Sequence, residues 1–199
     1  MNIAIVDSGV HAGHPHVGEI AGGVAIAGDD WTDRLGHGTA VAGVIREKAP
    51  EAAIYAVKIF DRRLSASIDD IVRALEWCRD QRMDFVNLSL GTANAEHRER
   101  FERVLAPGMV VVSVAGMLPG TIEGVIAVEA DVECPRDAVR MKDGVYYASP
   151  YPRPIPGVPP ERNLHGPSFA VANVTGVLAA SGRPPRQPRL GGPGLPHVK

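Results

Sequence analysis

Residues 33–45 read DRLGHGTAVAGVI. His37 has a glycine on each side, and a run of small and apolar residues follows at once. Glycine permits close backbone approach, so the stretch predicts a tightly packed helix that begins at the histidine. Upstream, IAIVDSGV (3–10) reads as a short buried strand ending on Asp7. Far downstream, HGPSFAVANVTG (165–176) places Ser168 behind Gly166 and Pro167, at the mouth of a segment that otherwise looks buried. In an open α/β sheet, strand ends and helix starts converge on one functional edge. Asp7, His37 and Ser168 all occupy such places.

The pattern extends outward from these three. AIYAVKIF (53–60), DFVNLSL (84–90), MVVVSVAG (109–116) and GVIAVEA (124–130) are further short apolar runs. Between them, SIDDIVRALEWC (67–78) keeps helical spacing through Ile68, Ile71, Val72, Leu75 and Cys78, with Ser67 as N-cap and Asp70 three residues on. A second helix is expected over 94–105. Strands alternating with helices imply a parallel sheet covered on both faces. VRMKDGVYY (139–147) differs: Asp143-Gly144 signals a hairpin. Twelve of the 17 prolines lie in 150–199. SPYPRPIPGVPPER (149–162) therefore reads as an extended surface loop, and 181–199 as a disordered, mildly basic tail beyond a domain spanning 1–180.

Composition excludes several classes. A net charge of −2 and 45% hydrophobic residues give no basic surface for nucleic acid. No apolar run reaches the roughly 18 residues of a membrane span. The N-terminus lacks a basic n-region and cleavage site, and Asp7 lies almost at the first methionine, so a cytoplasmic chain without secretion signal or propeptide is expected. Cys78 and Cys134 make no disulfide framework. Cys78 is expected in a helix core. Cys134, before a proline in a loop, is expected to be exposed, with no redox role. His11, His14 and His16 are spaced as H-x-x-H-x-H, but no carboxylate or thiol completes a metal set. Glu129 and Glu133 read as solvated loop acids rather than as a basic side chain's receptor.

Ser168 needs a base if it is a nucleophile, because a free hydroxyl is barely ionised at neutral pH. The base in turn needs an orienting acid. Chain order separates the hydrolase classes: Asp, then His, then Ser is the subtilisin order, unlike that of α/β-hydrolases or chymotrypsin. GPSFA also lacks the second glycine of a G-x-S-x-G elbow.

With these residues in view, the chain resembles the subtilisin-like serine peptidases, the subtilase family. IAIVDSGV is similar to the family's aspartate strand, with His14-Pro15 like its usual His-Pro, and GHGTAVAGVI to its histidine helix. AIYAVKIF and SASIDDIVRALEW resemble the strand and helix between. VNLSLGT resembles the substrate-binding strand, VVSVAG and VIAVEA the two strands after it, and GPSFAVANVTGVLA the serine helix. The match covers about residues 2–180.

The resemblance implies a three-layer α/β fold, a mainly parallel sheet flanked by helices, with a truncated C-terminal part. It implies a serine endopeptidase acting through an acyl-enzyme. Asp7 would orient the imidazole, His37 would act as base and then acid, and Ser168 would attack the scissile carbonyl. Ser89, Leu90 and Gly91 would pair with an extended peptide by β-augmentation, and Ala115 and Gly116 would wall the primary specificity pocket. The Ser168 N–H would be one oxyanion donor. The family places an asparagine amide as the second, but Met117 stands there, and a thioether donates nothing. In subtilisin itself, loss of the corresponding donor lowers turnover by about 10²–10³. Asn87, Asn163 and His165 are substitutes by residue type. The proline usual after the serine turn is replaced by Ala172-Asn173, and the helices that family members add after this point are missing, which leaves a face for a partner or a second copy to cover. No cofactor is implied; calcium belongs to the family, but no site for it is assignable here.

The expected function is thus a restricted-specificity processing peptidase, for example one trimming leaders from peptides. Two rivals remain: a catalytically weak or inactive protein that binds extended peptides, and a ligase or cyclase whose acyl-enzyme is captured by an amine instead of water.

Overall fold

The computed structural model describes residues 1–105 and 108–182. The elements run β1 (Asn2–Asp7), β2 (Gly22–Ala25), α1 (His37–Lys48), β3 (Ala53–Lys58), α2 (Ile68–Asp80), β4 (Phe85–Leu88), α3 (Arg98–Val104), β5 (Val110–Val114), β6 (Ile126–Ala130), β7 (Val139–Lys142), β8 (Val145–Ala148) and α4 (Pro167–Ala180). The strands form one eight-stranded sheet in the order β2-β3-β1-β4-β5-β6-β8-β7. Every neighbouring pair is parallel except the β7–β8 hairpin at the edge.

Alternation along the strands divides the core in two. Ile3, Ile5 and Phe85 point to the face covered by α1 and α4, where they meet Val41, Val44, Ile45, Phe169, Val171 and Val174. Ala4, Val6, Val86 and Leu88 point to the other face, against Ile71, Leu75 and Cys78 of α2 and Phe101 and Val104 of α3. Successive side chains of a strand take opposite faces. A strand buried on both faces must therefore be apolar throughout, which is why the runs read as continuous rather than alternating. This is the three-layer α/β arrangement expected.

Several local expectations reappear in detail. Ser67 caps α2 with a full capping box, and Asp70 Oδ2 accepts from the Ser67 hydroxyl at 2.7 Å. Cys78 is buried in the core, and burial pushes its thiol pKa up to about 12. Asp143 and Gly144 both take positive φ, 51° and 80°, as a two-residue hairpin turn of the primed type requires. The loop from 149 to 166 contains only one 3₁₀ turn, Pro160–Arg162.

Three features differ from the sequence reading. Strand β2 was not anticipated: GGVA has too few apolar residues to signal a strand, and Gly23 is needed because a Cβ there would lie 2.4 Å from the Ala56 carbonyl oxygen. The helix expected over 94–105 splits into a 3₁₀ turn, Ala95–His97, capped by Asn94, and the shorter α3. Cys134 is not exposed. It is buried, because the 131–138 loop folds back so that the thiol faces the Ala138 and Tyr147 carbonyl oxygens at 3.5 and 3.7 Å. Of the expected tail, 183–199 lies outside the described residues.

Removing the α2 cap isolates its worth. Ser67→Ala deletes the acceptor of the Asp70 N–H bond, 3.1 Å long, and is expected to lower stability by about 1 kcal/mol, read as an earlier urea midpoint at unchanged slope.

Candidate active site

Strand β1 delivers Asp7 to the carboxyl edge of the sheet, and α1 begins at His37 directly above it. The helix comes very close. A Cβ on Gly38 would lie 2.2 Å from the Gly9 carbonyl oxygen and 3.2 Å from Asp7 Cβ, so only glycine fits. Gly36, the N-cap, sits at φ 83°, which turns the chain sharply into the helix. The result is a hydrogen bond of 2.7 Å from His37 Nδ1 to Asp7 Oδ1. Asp7 is 1% and His37 16% exposed at the side chain. With Nδ1 donating to the carboxylate, Nε2 carries the free lone pair.

Ser168 is the second residue of α4, after Pro167 in the first helical position. Its hydroxyl donates to the Ser89 carbonyl at 3.1 Å, and the Ser89 hydroxyl donates to the Ser168 carbonyl at 3.2 Å. Asn87 Nδ2 supports this exchange through Ser89 Oγ at 2.7 Å. The end of β4 is therefore tied to the first turn of α4. The His37 ring lies 5.5 Å from the ring of Phe169, the residue after Ser168. So the fold brings Asp7 and His37 into contact and puts Ser168 at the same edge of the sheet, after β4, with its hydroxyl turned toward Ser89. A catalytic hydrogen bond is often loose before substrate arrives.

The expected peptide-binding segments also face one another. Thr92 and Leu118 form an isolated antiparallel bridge, and Ser113 Oγ donates to the Leu90 carbonyl at 3.0 Å. These bonds hold 89–92 against the turn that carries Ala115 and Gly116. Met117 closes the gap between them: a Cβ on Gly91 would lie 2.7 Å from Met117 Cβ and 3.3 Å from its sulfur. Beyond Gly91, a cavity of about 280 Å³ is lined by Leu90, Phe60, Leu64, Ile68 and Ile71.

Two of the three substitute oxyanion donors are spent elsewhere. Asn87 is buried, donating to Ser89 and accepting from Thr175 Oγ1 at 3.0 Å. Asn163 Nδ2 donates to the Arg153 carbonyl at 3.1 Å, and its Oδ1 accepts from Leu164 N–H. His165 is exposed, with a 3.3 Å contact from Nδ1 to the Asn163 carbonyl and its ring 6.2 Å from that of Tyr151.

Sequence reading missed Asp33. Its carboxylate accepts from Leu35 N–H, Gly36 N–H, Thr39 N–H, the Thr39 hydroxyl at 2.6 Å and the Ser8 hydroxyl at 2.9 Å. Ser8 Oγ in turn accepts from Gly38 N–H. This network clamps the start of α1 to the end of β1. The available signal was the placement of an acid and a threonine around the histidine in DRLGHGT. Burial pushes the Asp33 pKa up, but the Thr39 hydroxyl and the Thr39, Leu35 and Gly36 N–H groups outweigh it and hold the carboxyl below its usual range. At His37, burial opposes the imidazolium, but the hydrogen bond and charge of Asp7, with the charge of Asp33, hold its pKa above the ordinary value.

A buried carboxylate that holds an imidazole by Nδ1, with a hydroxyl at a helix start beside it, has the parts of a nucleophilic serine site. The chain belongs to the subtilase family, whose sequence model matches residues 1–130. It is similar to subtilisin DY of Bacillus licheniformis, 27% identical over 212 aligned positions that cover 90% of this chain and 75% of the relative. It is 33% identical to the minor extracellular protease Epr of Bacillus subtilis (strain 168), over 67% of this chain and 24% of that protein. It is 31% identical to a subtilisin of Bacillus pumilus, over 58% and 47%. The chain thus spans between a quarter and three quarters of these relatives' lengths.

The electrostatics make a signed prediction. His37, with a raised pKa, loses its proton at a higher pH than an ordinary imidazole. Its pairing with Asp7 stabilises the fold fully below the unfolded-state pKa, and that contribution fades as pH rises through the folded value. The His37 ring signals in an NMR titration should show this raised midpoint. Asp33→Asn should lower it and Asp7→Asn should lower it further; an unmoved midpoint in both would contradict the assigned cause.

Proposed function

We propose that the protein is a serine endopeptidase working through Asp7, His37 and Ser168. The observation that carries this reading is the 2.7 Å His37–Asp7 bond at the sheet edge where α4 presents Ser168. In the proposed reaction, rotation of Ser168 Oγ away from Ser89 brings it to His37 Nε2. Oγ attacks the scissile carbonyl carbon as its proton passes to Nε2. The imidazolium, stabilised by Asp7, then gives that proton to the leaving amine, and water repeats the sequence on the acyl-enzyme. Deprotonated His37 is required for attack, so acylation should rise with pH through the raised pKa of His37.

Peptide would lie along Ser89–Gly91 by backbone pairing, with its primary side chain beside Ala115 and Gly116. The Ser168 N–H, at the positive end of α4, would donate to the oxyanion. The second donor is the weak element: Met117 supplies none, and Asn87 and Asn163 are engaged elsewhere. The reading is therefore a slow, narrow enzyme, suited to processing a dedicated peptide in the cytoplasm without a metal or organic cofactor. The partner or second copy expected to cover α4 has no bare helix face to meet among the described residues, since α4 is buried from Phe169 to Ala179 apart from half-buried Val177.

The position of Met117 against Gly91 supports a second reading, a subtilase that binds peptides with little or no cleavage. Mass spectrometry of the intact protein after a fluorophosphonate separates the two. Labelling of the wild type and not of Ser168→Ala is expected; a folded wild type that stays unlabelled beside a reactive control subtilase would support the binding reading. Met117→Asn should raise turnover tens-fold or more by restoring a donor. An unchanged or lower rate would mean that another group already serves the oxyanion. Product mass distinguishes hydrolysis, which adds water, from ligation.

A further inference from the structure

The H-x-x-H-x-H stretch takes no part in the proposed chemistry, yet it lines a cavity of about 460 Å³ beside it. The cavity wall includes Gly36, Thr39 and Ala40, around His37, and Asn163 and Leu164, just ahead of Ser168. None of 89–92 or 115–117 contributes to it. The cavity therefore adjoins the start of α1 and the approach to α4 on a side that the segments expected to hold the acyl half of a peptide do not line, a place open to the leaving half.

Its polar groups are mostly donors. His14 Nδ1 accepts from the His16 N–H at 3.2 Å, which leaves Nε2–H as a donor. Arg153 spends Nη1 on the His16 carbonyl at 3.1 Å, and its Nη2 has no hydrogen-bond partner among the described residues. Glu47 lies 3.8 Å from Arg153 Nε, but that carboxylate also serves Lys48 and Arg136, so three cations share one anion. Asp33 is the acid in the wall, and its oxygens are filled by five donors: the Leu35 and Gly36 N–H groups of its own loop, the N–H and hydroxyl of Thr39 in α1, and the Ser8 hydroxyl. Burial first, then Arg153 and His14, lower the His16 pKa against the pull of Glu47, which favours the neutral ring beside Arg153. Pro15, Ile155 and Leu164 add aliphatic surface around these groups. A metal is a poor occupant: the His11–His14 and His14–His16 rings are 6.4 and 5.3 Å apart, and among the described residues no three ligating side chains are gathered for one.

We propose that this cavity receives an acidic side chain, aspartate or glutamate, from the leaving-group side of the peptide substrate. Arg153 and His14 would donate to the carboxylate, and the aliphatic rim would take its methylenes. The placement rests on the peptidase reading of Asp7, His37 and Ser168; the carboxylate receptor itself does not.

The full chain with isotope-labelled histidines is titrated with N-acetylglutamate amide and with N-acetylglutamine amide. The His14 and His16 ring signals should shift saturably with the first, and at least about tenfold more weakly with the second, since a charge-assisted hydrogen bond is lost. Arg153→Gln should remove the preference and Arg153→Lys should keep part of it, with an unshifted His37 signal reporting an intact site. Equal response to both amides, no response, or a preference that survives Arg153→Gln overturns the proposal. This readout needs no reactive serine, so a failed phosphonate reaction sinks the peptidase reading alone. In peptides that the wild type cuts, Asp and Glu should be enriched in the first few residues after the cut and return to background in Arg153→Gln. Enrichment before the cut would overturn the placement.

Discussion

The close approach of α1 to the end of β1 is the constraint on which the site depends. The 2.2 Å that a Gly38 Cβ would leave to the Gly9 carbonyl shows how little room there is. That proximity lets Asp7 reach His37 at 2.7 Å while staying almost wholly buried. A buried carboxylate is costly unless it is paired or hydrogen-bonded. Asp7 Oδ1 accepts from both His37 and the Ser8 N–H, whereas Oδ2 is buried without a hydrogen-bond partner among the described residues. The carboxylate is thus held against the imidazole with few competing donors, which strengthens its effect on that ring. Asp33, by contrast, is saturated with donors and serves as a clamp, with its charge reaching His37 only at longer range.

The sheet explains why such exactness can be held. Strands β1 and β4 are buried on both faces, and close packing lets side chains move little. α4 lies in the core along the sheet and is buried over most of its length, including the polar Asn173 and Thr175. Each of those has partners: Thr175 bonds to Asn87 of β4 and Asn173 donates to the Ser149 carbonyl. These polar ties fix the height of α4 against the strands more sharply than apolar contacts can, because a slip would strand buried donors. Ser168 inherits its position from that register and from the exchange with Ser89.

The sheet and its helices were legible because doubly buried strands must be apolar, and because α2 announces itself through Ser67 and Asp70. The short glycine strand β2 was not, since its pairing depends on the Ala56 backbone coming close, a fact of packing that composition does not carry. Cys134 was misjudged for a similar reason: proline marks a loop, but nothing local says that the loop folds inward. In the candidate site, the aspartate, histidine and serine stood out because each sits at an element boundary with glycine close by. Asp33 escaped notice because its bonds to Ser8, 25 positions upstream, and to Thr39 of α1 are facts of the fold, and without them it looks, in one dimension, like any surface acid. The histidine cluster was visible but uninterpretable, since its meaning depends on Arg153, 137 positions away from His16 in sequence.

Met117 and the histidine cavity bear on one another. A site that lacks a second oxyanion donor stabilises the transition state less, for every substrate alike. Binding energy from parts of the substrate remote from the reacting bond can offset that, if it is expressed in positioning. A carboxylate held by Arg153 would fix the leaving half of a peptide on one side of His37, while Ser89–Gly91 fixes the other half by its backbone. Peptides with both anchors would be aligned at Ser168, and the rest would meet only the weakened centre. A loss common to all peptides leaves their ratio unchanged, so in the proposed enzyme selectivity would rest on the two anchors, and the thioether would only slow the peptides that lack them.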